Sequence, residues 1–124
     1  MKLSREKFEA AVERAIARIP VEIRERMNNL VISVEPRLSR KLRADMGASD
    51  DEMLFGLYTG IPLPERSAFD PPLHPDKILI FQEPLEEWCE SLDELEEEIE
   101  ITVVHEVAHY LGLDDDRLEE LGYG

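Results

Sequence analysis

The sequence predicts an α+β fold, in which a small sheet is combined with one long helix and several shorter ones. Apolar residues recur at three- and four-residue spacing over 4–18, as is typical of an amphipathic helix that begins at a serine N-cap. β-Branched residues recur at a period of two along Leu30–Glu35, which indicates a strand. A capping box of the form S-x-x-E predicts the start of a long helix over Leu92–Leu111.

The other elements are predicted from apolar spacing and from the positions of proline and glycine. They are a helix over 21–28, a connector over 37–52 with a weak helical pattern up to Met46, strands over 53–60 and 77–81, and short helices over 84–90 and 114–121. Segment 61–76 holds five prolines, which cannot continue a helix or lie inside a sheet, so we expect a stiff surface loop. Such a loop either walls a cleft or merely connects its flanking strands.

Composition and charge bound the classes of function. The chain has 124 residues, of which 43% are hydrophobic, so we expect one core and one domain over 1–124. Its 29 acidic and 14 basic residues give a net charge of −15, which argues against nucleic acid or an anionic membrane as a partner. Ten of the acids fall within 83–100, where we interpret them as a solvated helix face rather than a cation site.

The single cysteine and the N-terminal segment bear on the compartment. Cys89 has no partner for a disulfide within the chain and is predicted to be a small, partly buried apolar residue. The N-terminal segment has the pattern of a charged helix, and no apolar run approaches the roughly 20 residues that a membrane-spanning helix needs. We therefore expect a soluble, cytoplasmic protein.

The most specific motif is H-E-x-x-H at His105, Glu106 and His109. Residues four apart lie on one face of a helix, so both imidazoles can reach one ion while the glutamate projects beside it. These residues are polar exceptions on a stretch that is apolar around most of its circumference, and a metal ion would satisfy both rings in a buried position. The motif predicts a Zn²⁺ site, against the alternative of two hydrogen-bonded core histidines.

A catalytic zinc ion usually has three protein ligands and an open position for water. Gly112 is expected to end the long helix with a left-handed turn that brings the following acids back beneath the helix end, so Asp115 is the predicted third ligand. Asp114 and Asp116 are predicted to cap a helix, to face solvent or to orient an imidazole. The alternatives that stay open for the third ligand are His74, Glu119 and Glu120.

Glu106 is the candidate catalytic residue. Zinc lowers the pKa of a bound water towards about 7, and a carboxylate beside it can act as the general base for attack on a carbonyl. Tyrosine hydroxyls can stabilise the oxyanion of such an attack, although tyrosines in small domains usually serve packing. The candidates are Tyr58, Tyr110 and Tyr123.

The run HEVAHYLGLDD, together with segments 54–66 and 78–87, resembles the minimal zincin-like metallopeptidase family of small bacterial proteins. The signature of that family is H-E-x-x-H-x-x-G-x-x-D. The likeness extends over most of the chain from about Leu54 to Gly122 and, less distinctly, over the N-terminal helix.

The resemblance implies both a site and a fold. It implies that His105, His109 and Asp115 are metal ligands and that Glu106 is the catalytic glutamate. It also implies a compact zincin-like fold, with a mixed sheet of three or four strands against the active-site helix. The edge strand, which we expect at 54–58, would hold an extended peptide by backbone hydrogen bonds. Larger metzincins have histidine at the position of Asp115 and a downstream methionine turn, whereas all four methionines here lie upstream.

Two functions are consistent with this site. The first is a zinc-dependent peptidase, in which Glu106 takes a proton from a metal-activated water that attacks a scissile peptide bond. The second is a zinc-stapled, catalytically silent module whose edge strand captures a peptide or protein. A metal-free interaction domain with an accidental motif is the remaining interpretation.

Overall fold

A computed structural model describes residues 1–47, 54–59 and 76–123 of the chain, with the exception of the Asp115 side chain. Within these residues the chain forms six α-helices and three β-strands, with a 3₁₀ turn at Glu25–Met27. In chain order they are α1 (Arg5–Arg18), α2 (Val21–Arg24), β1 (Leu30–Glu35), α3 (Arg40–Met46), β2 (Gly56–Thr59), β3 (Asp76–Phe81), α4 (Gln82–Trp88), α5 (Leu92–Leu111) and α6 (Asp115–Glu120). The predicted α+β fold is confirmed.

The three strands form one mixed sheet in the order β1-β3-β2. The central strand, β3, is parallel to β1 and antiparallel to β2, and Tyr58 of β2 lies opposite Ile78 of β3. In the described part of the chain β2 is therefore an edge strand. Its regular pairing begins at Gly56, three residues later than the sequence pattern predicts.

Helix α5 packs on β2 and β3, α1 packs on α5, and residues of both helices and of the sheet form one core. Ile78 and Ile80 of β3 are fully buried, whereas Lys77 is exposed, because alternate residues of a strand point to opposite faces. Burying one large aliphatic side chain contributes about 1.5–3 kcal/mol, so this layer fixes α5 firmly against β3. The helical core residues are Phe8, Ala11, Val12 and Ala15 from α1 and Leu95, Ile99, Val103, Val104 and Val107 from α5.

The acidic run 83–100 is not wholly solvated, and that prediction is wrong for two of its ten acids. Glu86 is buried and accepts a hydrogen bond from the Leu3 backbone N–H. Glu96 is buried and accepts one from the Arg14 guanidinium of α1. Burial is tolerated because each carboxylate has a donor, and both donors lie more than 80 residues earlier in the chain.

Local capping signals explain where several helices begin and end. The Ser91 hydroxyl accepts a hydrogen bond from the Glu94 N–H at 3.1 Å, as the capping box predicts for α5. The weak helical pattern before Met46 is a real helix, α3, which ends at Gly47 with φ of 71°. The helix predicted over 84–90 begins earlier, at Gln82, and the one over 21–28 changes to a 3₁₀ turn after Arg24.

Cys89 lies in the core and is 1% exposed, so it is more buried than the sequence suggested. Burial, with smaller contributions from the carboxylates of Glu94 and Glu98, raises the pKa of its thiol to about 11. The proline-rich segment up to residue 75, with His74, lies outside the described residues. None of the helices in the described parts of the chain combines the length and the apolar content needed to cross a bilayer.

Candidate metal centre

The H-E-x-x-H motif occupies the last two turns of α5, immediately before a Schellman motif. Gly112 has φ of 71° and donates its N–H to the His109 carbonyl at 3.2 Å. The Leu113 N–H donates to the Ala108 carbonyl at 2.9 Å. Glycine adopts this left-handed conformation without a Cβ penalty, so the predicted turn forms and sends the chain back towards α6.

This reversal creates a cavity of about 420 Å³ beneath the end of α5. His105 and His109 line it from α5, and Glu119 lines it from α6. The other lining residues are Ala108, Leu113, Leu118 and Tyr123. The two imidazoles predicted as ligands therefore face one cavity, as their four-residue spacing on a helix requires.

Each imidazole uses one ring nitrogen for a protein oxygen. The His105 Nε2 lies 2.9 Å from the Tyr123 carbonyl oxygen. Because a carbonyl oxygen only accepts, Nε2 carries the hydrogen, and in the neutral ring Nδ1 carries the lone pair. The His109 Nδ1 lies 3.3 Å from Glu106 Oε2. A protein acceptor on one nitrogen and a metal ion on the other is the usual arrangement of a ligating histidine.

Glu106 is less exposed than either histidine of the motif. Its side chain is 16% exposed, whereas that of His109 is 71% exposed, so the expectation that both imidazoles are buried is wrong. The Glu106 carboxylate accepts a hydrogen bond from the Tyr58 backbone N–H at 3.1 Å. Burial raises its pKa, against smaller lowering effects from His109, the Tyr58 N–H and His105. A raised pKa makes this carboxylate a stronger proton acceptor.

The three candidate tyrosines make structural contacts around the site. The Tyr58 hydroxyl donates to Asp76 Oδ2 at 3.0 Å, and the Tyr58 ring packs on that of Tyr110 with centroids 5.8 Å apart. Tyr110 is 3% exposed, so its ring belongs to the core. Tyr123 contributes its backbone carbonyl to His105, and burial raises the pKa of its phenol.

The acids after Gly112 differ in their positions and partners at α6. Asp114 is the N-cap of α6 and accepts from the Arg117 N–H at 2.9 Å, as predicted. Asp116 is exposed, and Glu120 pairs with Arg117 at 2.7 Å. Asp115 is the first residue of α6, and its side chain lies outside the described part of the structure. Its role as third ligand stays a prediction.

The donor set suits zinc, with two imidazoles facing one cavity and acids on the returning chain. Among the described side chains, no three of the ligand-forming types lie close enough together to hold a metal ion. A complete site therefore needs a donor beyond His105 and His109; Asp115 stays the predicted one, and His74, Glu119 and Glu120 stay open as alternatives.

Two contacts at the site were not foreseen from the sequence. They are the Tyr58 N–H on the Glu106 carboxylate and the Tyr123 carbonyl on His105. Both use backbone atoms, so no residue type signals them. Only the expectation of an edge strand near the active-site helix pointed towards the first.

Comparison with known proteins bears on this site directly. The family model described as zincin-like metallopeptidase matches residues 27–124, which includes every element from β1 to α6 and leaves α1 and α2 outside. A search of curated proteins finds no match. The match spans well over half of the chain and contains the H-E-x-x-H helix, the glycine turn and the edge strand, and the chain therefore belongs to the zincin-like metallopeptidase family.

Proposed function

We propose that this protein is a zinc-dependent peptidase in which Glu106 is the general base. The observation that carries the proposal is the position of Glu106, whose largely buried carboxylate lies beside one imidazole and is held by the backbone of an edge strand. Family membership supports the same reaction class. The proposal combines a proton acceptor, candidate metal ligands and a strand that can bind a peptide.

His105, His109 and Asp115 would hold the metal ion. When bound, zinc supplies Lewis-acid chemistry: it polarises a carbonyl and makes water acidic enough to attack at neutral pH. The contact between His105 Nε2 and the Tyr123 carbonyl would fix the orientation of that ring and strengthen it as a ligand.

Glu106 would accept the proton of the attacking water and pass it to the leaving amine. The Tyr58 N–H donates to Oε2 at 3.1 Å and so fixes the direction in which the carboxylate faces. The same hydrogen bond lowers the pKa of Glu106, but burial outweighs it, and the carboxylate keeps a raised pKa. A base with a pKa closer to neutrality transfers protons more efficiently in both directions.

The outer edge of β2 would bind the substrate as an added strand. Backbone groups along a strand alternate between its two sides. The Phe55 carbonyl is bonded to the Phe81 N–H of β3, and the Tyr58 N–H, three positions on, points away from β3 to Glu106. A peptide bound along the outer side of β2, which includes the Gly56 backbone, would therefore lie beside the Glu106 carboxylate.

The test is zinc content and peptide hydrolysis for the wild type and Glu106→Gln. We expect one zinc ion per chain in both proteins and a loss of hydrolysis of at least about 100-fold in the variant, which is the usual contribution of a general base. Glu97→Gln is the matched control, because Glu97 lies on the exposed face of the same helix. Full activity in zinc-loaded Glu106→Gln would contradict the role of the base.

The same experiment separates the peptidase from a zinc-stapled binding module. A binding module would hold zinc in both proteins and hydrolyse no peptide in either. If the protein held no zinc after dialysis, both the peptidase and the zinc-stapled module would be excluded.

A further inference from the structure

We infer that the cavity beneath the end of α5 is a specificity pocket for a basic side chain of the substrate, and that Glu119 pairs with the cation. The inference rests on the proposed peptidase function and names its substrate class. It assigns a role to the cavity wall opposite the H-E-x-x-H helix, which the catalytic proposal does not use.

The shape and lining of the cavity fit a lysine or arginine side chain. Its volume is about 420 Å³, and Leu113, Leu118 and the Tyr123 segment form apolar walls. Glu119 contributes a carboxylate to the same cavity, and no lysine or arginine is among the lining residues that the structure describes. Basic side chains have an apolar stem and a charged head, so they bury the first against such walls and keep the second at the carboxylate.

Glu119 differs from its neighbour Glu120 in its partners. Glu120 does not line the cavity and pairs with Arg117 at 2.7 Å. Within residues 1–47, 54–59 and 76–123, no side chain or backbone donor is bonded to the Glu119 carboxylate. The Glu119 charge at the cavity thus has no bonded cation in the described part of the fold, whereas that of Glu120 has one.

The cavity adjoins the reaction centre, because both imidazoles line it. A side chain that enters it must belong to a residue close to the scissile bond. The chain carries a net charge of −15, which raises the local concentration of basic peptides. Glu119 would convert this general attraction into selection at one substrate position.

The test is peptide binding to zinc-loaded Glu106→Gln protein, followed by fluorescence anisotropy. The probes are extended peptides built from uncharged residues, in which one position at a time is replaced by Lys, Arg, Leu or Glu. We expect about fivefold tighter binding of the Lys and Arg peptides at one position, as suits a partly exposed ion pair. Adding Glu119→Gln should abolish this preference, and adding Glu119→Lys should shift it to the Glu peptides. Glu120→Gln is the control and should leave it unchanged.

Three outcomes overturn the inference: no preference for basic peptides, a preference that survives Glu119→Lys, or a loss of zinc affinity in Glu119→Gln. The last would make Glu119 a metal ligand, and competition with a chromophoric chelator measures it. Glu119 is exposed, so both variants are expected to fold, which circular dichroism checks. If the wild type cleaves no peptide, the peptidase proposal fails, but a Glu119-dependent preference in binding would still support the pocket.

Discussion

Helix α5 carries two largely buried carboxylates whose surroundings differ. Glu96, in the second turn of the helix, accepts a hydrogen bond from the Arg14 guanidinium of α1. Glu106, near the end of the helix, accepts one from the Tyr58 backbone N–H and lies 3.3 Å from His109 Nδ1. One carboxylate thus has a full positive charge beside it, whereas the other has a peptide dipole and an imidazole.

The difference shows how one helix can use the same residue type for structure and for chemistry. At Glu96 the guanidinium of Arg14 is the partner, and this ion pair joins two helices. At Glu106, where no guanidinium or ammonium is paired with the carboxylate among the described residues, burial raises the pKa. Glu96 therefore attaches α1 to α5, and Glu106 keeps the ability to accept a proton.

A substitution at Gly56 is the most direct way to disturb the surroundings of Glu106. A Cβ at this position would lie 2.6 Å from the Thr102 Cγ2 of α5 and 3.0 Å from the Leu79 carbonyl oxygen. Gly56→Ala should therefore separate β2 from α5 and weaken the Tyr58 bond to Glu106. We expect a loss of about 2 kcal/mol in the free energy of unfolding, as is usual for overpacking, measured by urea denaturation.

A second substitution tests the cause of that loss. Thr102→Ser removes the methyl group that a Cβ at position 56 would meet, so the double variant should recover part of the stability. The recovery should be incomplete because the Leu79 carbonyl remains close. If Gly56→Ala alone were as stable as the wild type, β2 would not be held against α5 as described.

Much of the fold and part of the site could be predicted because their signals are local. The S-x-x-E box locates the start of α5, Gly112 its end, and the four-residue spacing of His105 and His109 brings them to one cavity. The strands follow from their apolar residues, although the start of β2 is displaced because Leu54 and Phe55 are apolar without belonging to the regular pairing.

What the sequence could not predict depends on contacts between distant segments. Ten acids in the run 83–100 look alike, and only the approach of the N-terminal segment decides that Glu86 and Glu96 are the buried ones. The Tyr58 bond to Glu106 joins residues 48 positions apart through a backbone N–H. Such contacts require the relative position of two elements, which no periodicity encodes.

A substitution at Glu96 should have a smaller effect on the free energy of unfolding. Glu96→Gln removes the charge that pairs with Arg14, but the Arg14 side chain is 51% exposed and can be solvated instead. We therefore expect a loss of only about 1 kcal/mol in the free energy of unfolding, with no change in hydrolysis. A double-mutant cycle with Arg14→Gln isolates the coupling, and the longer Arg18–Glu100 pair, at 3.7 Å, should give a smaller one. A coupling near zero would mean that the buried acid is held by packing alone.

The pH dependence of stability sharpens the contrast and is expected to be the smallest effect. Burial raises the pKa of Glu106 above its ordinary value of 4.5, so the folded state binds this proton more tightly than the unfolded chain does. The resulting stabilisation is complete below pH 4.5 and is lost as the pH rises through the raised folded pKa. Glu106→Gln lacks this term.

In zinc-free protein, the free energy of unfolding of Glu106→Gln minus that of the wild type should therefore increase above pH 4.5 and then level off. Urea denaturation in the presence of a chelator, repeated between pH 4.5 and 8, measures this difference, and the titrations of groups that do not interact with Glu106 cancel in it. Glu97→Gln, at an exposed position on the same helix, should give no comparable rise. A difference that decreased with pH would mean that a cation stabilises the Glu106 carboxylate, and the two acids of α5 would then have the same structural role.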